Sequence, residues 1–316
     1  MTKQGESPPV DVRAARAMAR RIIEHHFGEK PKRTKHEAGG LSNFVFLVNH
    51  AEGDFVVRIS PDPAKINAFI KEQWAMTKAR EVGVPTPEIL RVGNEVVPYP
   101  YMVSQRVAGR AATFHPHREE ILREMGRYAA LINSVSTNGF GGTFDWSSNQ
   151  LSLNATWGEF LHKELKFEKR MQTLEKQRML SPPRLKKLRT ILERVAGSRH
   201  RATLNHGDIR LKNMIVDDDG CIAAVIDWEH CTSNLSPPWE LSLALHDLSI
   251  DEKQEFLAGY GLREKNLIEI APVIKALNII NYVPEIERLI ESKDVAQIEQ
   301  YRTRLSGALD LYLLDS

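Results

Sequence analysis

The chain has 316 residues, which is long for a single hydrophobic core, so two domains are expected. Its 43 lysine and arginine residues nearly balance 41 aspartate and glutamate residues, and this balance argues against a surface built mainly to bind nucleic acid. The chain has only two cysteines and no apolar run with the form of a signal peptide or a membrane span, so we expect a cytoplasmic protein without a membrane partner.

The first third of the chain alternates helical and strand-like patterns. Apolar residues at helical spacing predict helices over residues 10–28 and 64–83, each ending at a glycine. Two β-rich runs, Phe44–Val48 and Phe55–Ile59, flank the turn-like NHAEGD, and proline-punctuated strands follow. These patterns predict a small N-terminal lobe over residues 1–103 with a mostly antiparallel sheet.

From Arg110 onward the pattern is mainly helical. Helices are predicted over residues 117–135, 156–176 and 181–197, with Ser181 as the cap of the third and a polar loop over 136–154. A short join at 104–109 separates this larger, mostly helical C-terminal lobe, 110–316, from the first lobe. The predicted fold class is therefore α+β with two lobes.

One segment interrupts these helices and places polar side chains at the ends of strand-like runs. It contains HGD at 206–208, Asn213, a predicted hairpin with a DDG turn at 218–220, and Asp227. Pairing of the hairpin strands would bring Asn213 close to Asp227, with Asp208 in the loop leading in. Oxygen-bearing side chains of this kind suit Mg²⁺ completed by phosphate. Taken singly, each residue could also be an ordinary turn residue.

The pattern HGDxxxxN, followed by a hairpin and IDWE, resembles the catalytic and metal-binding motifs of the aminoglycoside phosphotransferase and choline kinase family. This resemblance implies a protein-kinase-like fold and transfer of the γ-phosphoryl group of ATP to a hydroxyl of a small molecule. It implies that Asp208 is the base, or orienting acceptor, for that hydroxyl. It also implies that Asn213 and Asp227 hold Mg²⁺ on the ATP phosphates.

Other residues of the same loop take supporting roles by this resemblance. Arg210 would stabilise charge on the transferred group, with Lys212 as a second candidate. His206 would brace the loop. Glu240, in WELS at the position of the family's Asp-Leu-Ala, would accept hydrogen bonds from the loop.

The resemblance assigns the nucleotide contacts to the N-terminal lobe. Ser42 and Asn43 end the GGLSN run and are expected near the phosphates, with a plain hairpin turn as the alternative. Arg58 stands where the family usually has a lysine. Glu72 lies within an apolar helical stripe and is the expected partner of Arg58, unless it is solvated at the margin of the stripe. The remaining predicted contacts, with adenine, come from backbone groups of Ser104, Gln105 and Arg106.

The acceptor is less defined by the sequence. Short blocks such as VPTPEIL, SQRVAGR and TWGEF resemble hygromycin B phosphotransferase, which makes an aminoglycoside or aminocyclitol antibiotic one candidate acceptor and resistance one candidate role. A choline-, homoserine- or sugar-like metabolite is an alternative, as is a catalytically silent nucleotide-binding protein. A cationic acceptor would need acidic walls, for which we select Glu229, Asp247 and Glu285. The absence of Ala-Pro-Glu after Asp227 argues against a protein kinase.

Overall fold

The structure, a computed structural model, describes residues 11–38, 43–142 and 154–310. The strands, in chain order, are β1 (Arg33–Glu37), β2 (Phe44–His50), β3 (Gly53–Ile59), β4 (Ile89–Gly93), β5 (Tyr101–Gln105), β6 (Arg110–Ala111), β7 (Thr203–Asn205), β8 (Met214–Val216), β9 (Ile222–Val225) and β10 (Thr232–Asn234). The α-helices are α1 (Val12–Phe27), α2 (Lys65–Glu81), α3 (Arg118–Ser134), α4 (Trp157–Lys163), α5 (Phe167–Lys176), α6 (Pro182–Ala196), α7 (Pro238–Ala244), α8 (Ile250–Tyr260), α9 (Glu264–Glu291) and α10 (Val295–Asp310).

The chain divides into two compact units that are not continuous in sequence. The first comprises Met1–Ala111 with Met214–Glu229, and the second comprises Ala112–Asn213 with His230–Ser316. This division differs from the predicted lobe over 110–316, because the β8–β9 hairpin belongs to the first unit. The reason is that β6, which directly follows the predicted join, pairs with β8 in a three-stranded antiparallel sheet.

The first unit is built on a five-stranded antiparallel sheet with the order β1-β2-β3-β5-β4, which agrees with the predicted sheet. Alternate residues of β2 and β3, such as Phe46 and Val57, are fully buried and share a core with Ile22 of α1. Asp11 caps α1 by accepting a hydrogen bond from the Ala14 N–H at 2.7 Å. Sequence periodicity therefore located these elements correctly.

The second unit is mainly helical, as predicted, and contains one two-stranded sheet, β7 with β10, that the sequence patterns did not indicate. Helices α3 and α8 pack closely because each contributes a glycine. A Cβ at Gly126 would collide with the backbone of α8, and a Cβ at Gly259 would collide with the backbone of α3. The main core of this unit gathers side chains from α4, α5, α6 and α9.

Two helix predictions need adjustment. The helix expected over 156–176 is two helices, α4 and α5, because Lys166 adopts a left-handed conformation with φ of 52° between them. Ser181 precedes α6, but its side chain makes no capping hydrogen bond, and the prolines at the first positions mark the start. Residues 143–153 of the predicted polar loop lie outside the described residues.

Helix α9 is the one helix in the described ranges that is long and apolar enough to cross a membrane by length and composition. Its most apolar stretch reaches a mean hydropathy of 1.3, although Pro272 and Pro284 lie inside the helix. The sequence analysis expected no such run. The core helix of a water-soluble protein meets the same criteria, and α9 contributes Leu277, Ile280 and Val283 to the core of the second unit.

Candidate active site

The HGD loop follows β7 and adopts a shape that requires glycine at its second position. Gly207 has a φ of 79°, and a Cβ there would collide with the carbonyl group of His230. His206 is fully buried, and its Nδ1 accepts a hydrogen bond from the Asp208 N–H at 3.2 Å. This contact agrees with the predicted bracing role of His206.

Glu240 of α7 anchors the same loop. Its Oε2 accepts a hydrogen bond from the His206 N–H at 2.6 Å, and its Oε1 accepts one from the Gly207 N–H at 3.2 Å. The predicted contact between Glu240 and the loop is therefore confirmed. Burial raises the pKa of Glu240 to about 7, although the two backbone hydrogen bonds and one from Asn133 oppose the increase.

The Asp208 carboxylate forms ion pairs with two basic residues of the same loop. Arg210 Nε lies 2.8 Å from its Oδ1, as an ion pair rather than an aligned hydrogen bond, and Lys212 Nζ lies 2.9 Å from its Oδ2. Burial acts to raise the pKa of Asp208, but the Lys212 hydrogen bond and the charges of Arg210 and Lys212 outweigh burial and lower the pKa. Asp208 is consequently ionised at neutral pH, in the form that can accept a proton.

Asn213 sits at the end of the loop and faces Asp208 through its amide nitrogen. Its Nδ2 donates to the Asp208 backbone oxygen at 2.8 Å and to Asp208 Oδ2 at 3.0 Å. The amide oxygen of Asn213 is then left to bind a cation. In the described ranges, no three His, Cys, Asp or Glu side chains are placed to hold a metal ion by themselves. Mg²⁺ in phosphotransfer sites needs fewer protein ligands, because phosphates and water complete its shell, so an Asn–Asp pair fits it.

Asp227 follows the β8–β9 hairpin, which forms as predicted. Met214 pairs with Val225, and Gly220 in the turn has a φ of 87°. Asp227 has a φ of 66°, a left-handed conformation that aspartate adopts more readily than most side chains. The Trp228 indole N–H donates to the Val225 carbonyl oxygen at 3.0 Å and ties the turn to β9. Asn213 and Asp227 belong to different units, so their joint binding of a metal stays a prediction.

In the first unit, Arg58 of β3 and Glu72 of α2 form the predicted ion pair. Arg58 Nη1 donates to Glu72 Oε2 at 2.6 Å, and Glu72 is buried, so the alternative of a solvated Glu72 is wrong. Burial raises the pKa of Glu72, and the charge of Arg58 opposes this increase. The Arg58 guanidinium also stacks over the ring of Phe69, 5.3 Å from its centroid.

Glu229 joins this cluster. Its Oε2 lies 3.9 Å from Arg58 Nη2 and 3.7 Å from Lys65 Nζ. Its backbone oxygen accepts a hydrogen bond from the buried Lys71 Nζ at 2.9 Å. The structure thus places Glu229 among cations of the first unit, and its predicted contact with the acceptor stays a prediction. Sequence reasoning missed Lys71, because its partner lies 158 residues away in the chain.

The predicted phosphate loop is only partly described. Ser42, with residues 39–41, lies outside the described residues. Asn43 is half-buried and directly precedes β2. Their contacts with phosphate therefore remain a prediction from sequence.

The residues predicted to meet adenine lie at the end of β5. Ser104 is buried in the strand. The Gln105 N–H donates to the Glu88 carbonyl oxygen, and the Arg106 N–H donates to the Asp54 carbonyl oxygen, both at 2.9 Å. Since these two N–H groups are already bonded within the unit, Gln105 and Arg106 would meet a nucleotide base through other groups, such as their carbonyl oxygens.

A cavity of about 430 Å³ in the second unit is lined by Arg210 together with Asp247 and Glu285, two of the three predicted acceptor acids. Asp247 Oδ2 lies 3.3 Å from Arg210 Nη1, and Asp247 Oδ1 lies 3.1 Å from His246 Nε2. Burial lowers the pKa of His246, while the charge of Asp247 opposes this decrease. The cavity therefore adjoins the HGD loop through Arg210, which contacts both Asp208 and Asp247.

Several cavity residues were missed by sequence reasoning, although a signal for them exists. The missed residues are Asn278, Asn281 and Tyr282, which line the cavity at positions i, i+3 and i+4 of α9, and the predicted Glu285 follows at i+7. A polar stripe at this spacing in an otherwise apolar helix indicates a face that does not pack into the core. Arg304 of α10 completes the wall, and no local pattern indicates it.

Comparison with known proteins agrees with the motifs. The model of the phosphotransferase enzyme family matches residues 35–270. No curated protein matches the chain in sequence. Aminoglycoside phosphotransferase APH(4)-Ia is similar in structure, with a TM-score of 0.70 and 17% sequence identity over 93% of this chain and 98% of that chain.

Two ligand complexes are similar as well. A thermostable mutant of APH(4)-Ia with AMP-PNP and hygromycin B gives a TM-score of 0.70 at 17% identity, over 94% of this chain and 99% of that chain. APH(2")-IIIa with GDP and kanamycin gives a TM-score of 0.63 at 13% identity, over 92% of this chain and 97% of that chain. These likenesses confirm the predicted kinase-like fold, and the family match, which spans most of the chain, shows that the chain belongs to the phosphotransferase enzyme family.

Proposed function

We propose that this phosphotransferase is an ATP-dependent kinase that transfers the γ-phosphoryl group to a hydroxyl group of a small molecule. The observation that carries the proposal is the state of Asp208, a carboxylate whose pKa is lowered beside Arg210 and Lys212 in a loop anchored by Glu240. Phosphoryl transfer needs an ionised acceptor for the hydroxyl proton and cations near the transferred group, and this loop supplies both.

Asp208 acts on the acceptor hydroxyl in this proposal. The hydroxyl oxygen forms a bond to the γ-phosphorus, the bond from that phosphorus to the bridging oxygen breaks, and ADP leaves with the bond electrons. The hydroxyl proton passes to the Asp208 carboxylate. Arg210 and Lys212, each within 3 Å of Asp208, stabilise negative charge on the transferred group.

The first unit binds the nucleotide. Arg58, held by Glu72, supplies the phosphate-binding cation, since guanidinium groups bind phosphate oxygens in pairs. Ser42 and Asn43 contact the phosphates, and the 104–106 segment contacts the base. Because Arg58 makes the ion pair that a lysine would make with Glu72, the arginine no longer favours a catalytically silent protein.

Mg²⁺ is the proposed metal, held by Asn213 and Asp227 with the phosphates of ATP. When bound, it offsets the negative charge of the β- and γ-phosphates. The amide oxygen of Asn213 is available for this role because its nitrogen is bonded to Asp208. A cytoplasmic location suits the ATP requirement and the two cysteines, Cys221 and Cys231, neither of which forms a disulfide.

The acceptor binds in the cavity beside Arg210, against Asp247 and Glu285. The hygromycin B and kanamycin complexes of similar structures make aminoglycosides one class to test, and hydroxylated metabolites form the other. Glu229 lies among cations of the first unit, so we propose that it supports Arg58, and its contact with the acceptor stays a prediction from sequence.

The test is an acceptor screen with Mg-ATP, in which ADP release is measured and phosphate adducts are detected by mass spectrometry. The wild-type protein should phosphorylate at least one hydroxyl compound, and Asp208→Asn should lower kcat by about a thousandfold or more, since it removes the proton acceptor. Binding of AMP-PNP should be retained. Asp219→Asn, in the exposed hairpin turn, is the matched control. Full turnover by Asp208→Asn would remove Asp208 from the reaction.

A further inference from the structure

The acidic side chains of the cavity are already neutralised by neighbouring arginines. Asp247 is paired with Arg210 at 3.3 Å. Glu285 accepts two hydrogen bonds from Arg288, at 2.8 and 2.6 Å, in a bidentate arrangement. The two acids therefore present little uncompensated negative charge to a ligand, although they are the residues that a polycationic acceptor would need.

The unsatisfied groups of the cavity are donors. Arg304 lines the cavity, and its exposed guanidinium has no carboxylate within ion-pair distance among the described residues. Asn281 Nδ2 is buried, and no hydrogen-bond acceptor is found for it in the part of the chain that the structure describes. Buried donors in native proteins are nearly always paired, so an unpaired one in a cavity indicates a missing acceptor.

The balance of acidic and basic residues around the cavity also favours an anionic ligand. The arginines that line the cavity, Arg210 and Arg304, match the acids Asp247 and Glu285 in number, and Arg288 adds a further positive charge beside Glu285. A ligand with several ammonium groups is attracted by a site with excess negative charge, and this site has none. An anionic group in the cavity would instead find two donors among the lining residues, Arg304 and Asn281 Nδ2.

We propose that the acceptor carries an anionic group, a carboxylate or a phosphate, that binds Arg304 and Asn281. This proposal rests on the proposed kinase function and narrows its substrate class to hydroxylated acids or phosphate esters of metabolite size. A cavity of about 430 Å³ suits such a molecule. Arg304 and Asn281 are then specificity residues that orient the acceptor and take no part in the proton transfer.

Binding can be measured by calorimetry without any turnover, which separates this proposal from the proposed function. The nucleotide site is first filled with AMP-PNP and Mg²⁺. The probes share a three-carbon scaffold and differ in charge: glycerate, glycerol 3-phosphate and neutral glycerol. Hygromycin B serves as the polycationic probe. The proteins are wild type, Arg304→Gln, Asn281→Asp and the control Arg302→Gln, which removes a charge from the same helix outside this cavity.

At least one anionic probe should bind more tightly than glycerol and hygromycin B. Arg304→Gln should weaken that binding about tenfold, because one charge-assisted contact is lost. Asn281→Asp should weaken it at least as much, since the new carboxylate repels the anion, and Arg302→Gln should leave it unchanged. The anion that binds more tightly, glycerate or glycerol 3-phosphate, shows whether the anionic group of the acceptor is a carboxylate or a phosphate. The proposal is overturned if neither anion binds, if hygromycin B binds more tightly than both, or if both cavity variants bind the anion as wild type does. Any of these outcomes would refute the anionic acceptor and leave the proposed kinase function standing, because that function is tested by turnover.

Discussion

Replacing Glu240 with glutamine should remove a pH dependence from the stability of the protein. Glu240 is fully buried, and it anchors the HGD loop through the His206 and Gly207 N–H groups. Burial raises its pKa from 4.5 to about 7. Between these two pH values the folded protein keeps a proton on Glu240 that the unfolded chain has lost.

The magnitude follows from this difference in pKa. When the folded state binds more protons than the unfolded state, the free energy of unfolding falls as pH rises. Each pKa unit corresponds to about 1.4 kcal/mol, so the shift of Glu240 is worth about 3 kcal/mol. This stability is fully present below pH 4.5 and is lost as the pH rises through about 7. Glutamine cannot ionise, so the Glu240→Gln protein should lack this loss.

Urea unfolding of both proteins at intervals between pH 4 and 8 tests the prediction. The quantity to compare is the free energy of unfolding of wild type minus that of Glu240→Gln. Glutamine has one fewer acceptor for the two loop N–H groups, which adds an offset that does not depend on pH. The difference should fall by about 3 kcal/mol across the window, and it should stay constant for the exposed control Glu269→Gln. If the difference between wild type and Glu240→Gln does not change with pH, the pKa of Glu240 is not raised and the predicted loss of stability does not exist.

Two further predictions concern residues that shape the site. Arg58→Ala leaves the buried Glu72 carboxylate without its partner and should lower the free energy of unfolding by about 3–5 kcal/mol, whereas Arg58→Lys should lower it much less. Equal urea midpoints for the two variants would contradict the ion pair. Gly207→Ala forces a side chain into a left-handed conformation against the His230 carbonyl group and should cost about 1–3 kcal/mol. Thermal unfolding measures this cost, and kinetics should show a lower kcat with AMP-PNP binding retained; an unchanged kcat would mean that the loop tolerates the distortion.

Features that depend on local spacing were predictable from the sequence. The HGDxxxxN spacing and the glycine turn of the hairpin act within a few residues, so the sequence displays them directly. A carboxylate within an apolar helical stripe needs a partner, and the family resemblance named Arg58 as that partner of Glu72. The pairing of Glu285 with Arg288, three residues later on α9, could also have been read from helical spacing.

Features that depend on distant pairings were not predictable. Three features each bring together residues that are far apart in the chain. They are the contact of Lys71 with Glu229, the pairing of β7 with β10, and the cavity that Arg304 lines together with residues of α9. No periodicity records such a contact. The contacts of Glu229 with Arg58 and Lys65 were likewise not predictable, because the sequence offered Glu229 only as an acidic wall for a cationic acceptor.

The membership of the hairpin in the first unit has a consequence for dissection of the protein. A fragment that stops at Ala111 would contain β6 but neither β8 nor β9, so its small sheet could not form. A fragment that starts at Ala112 would carry the hairpin with no β6 to pair with. The first unit, which we propose to bind the nucleotide, could therefore be isolated or exchanged between related proteins only together with residues 214–229. A single cut in the chain cannot separate the two units. The sixteen residues 214–229 belong to the first unit but lie between the two segments of the second, so a recombination event at one point would leave both units incomplete.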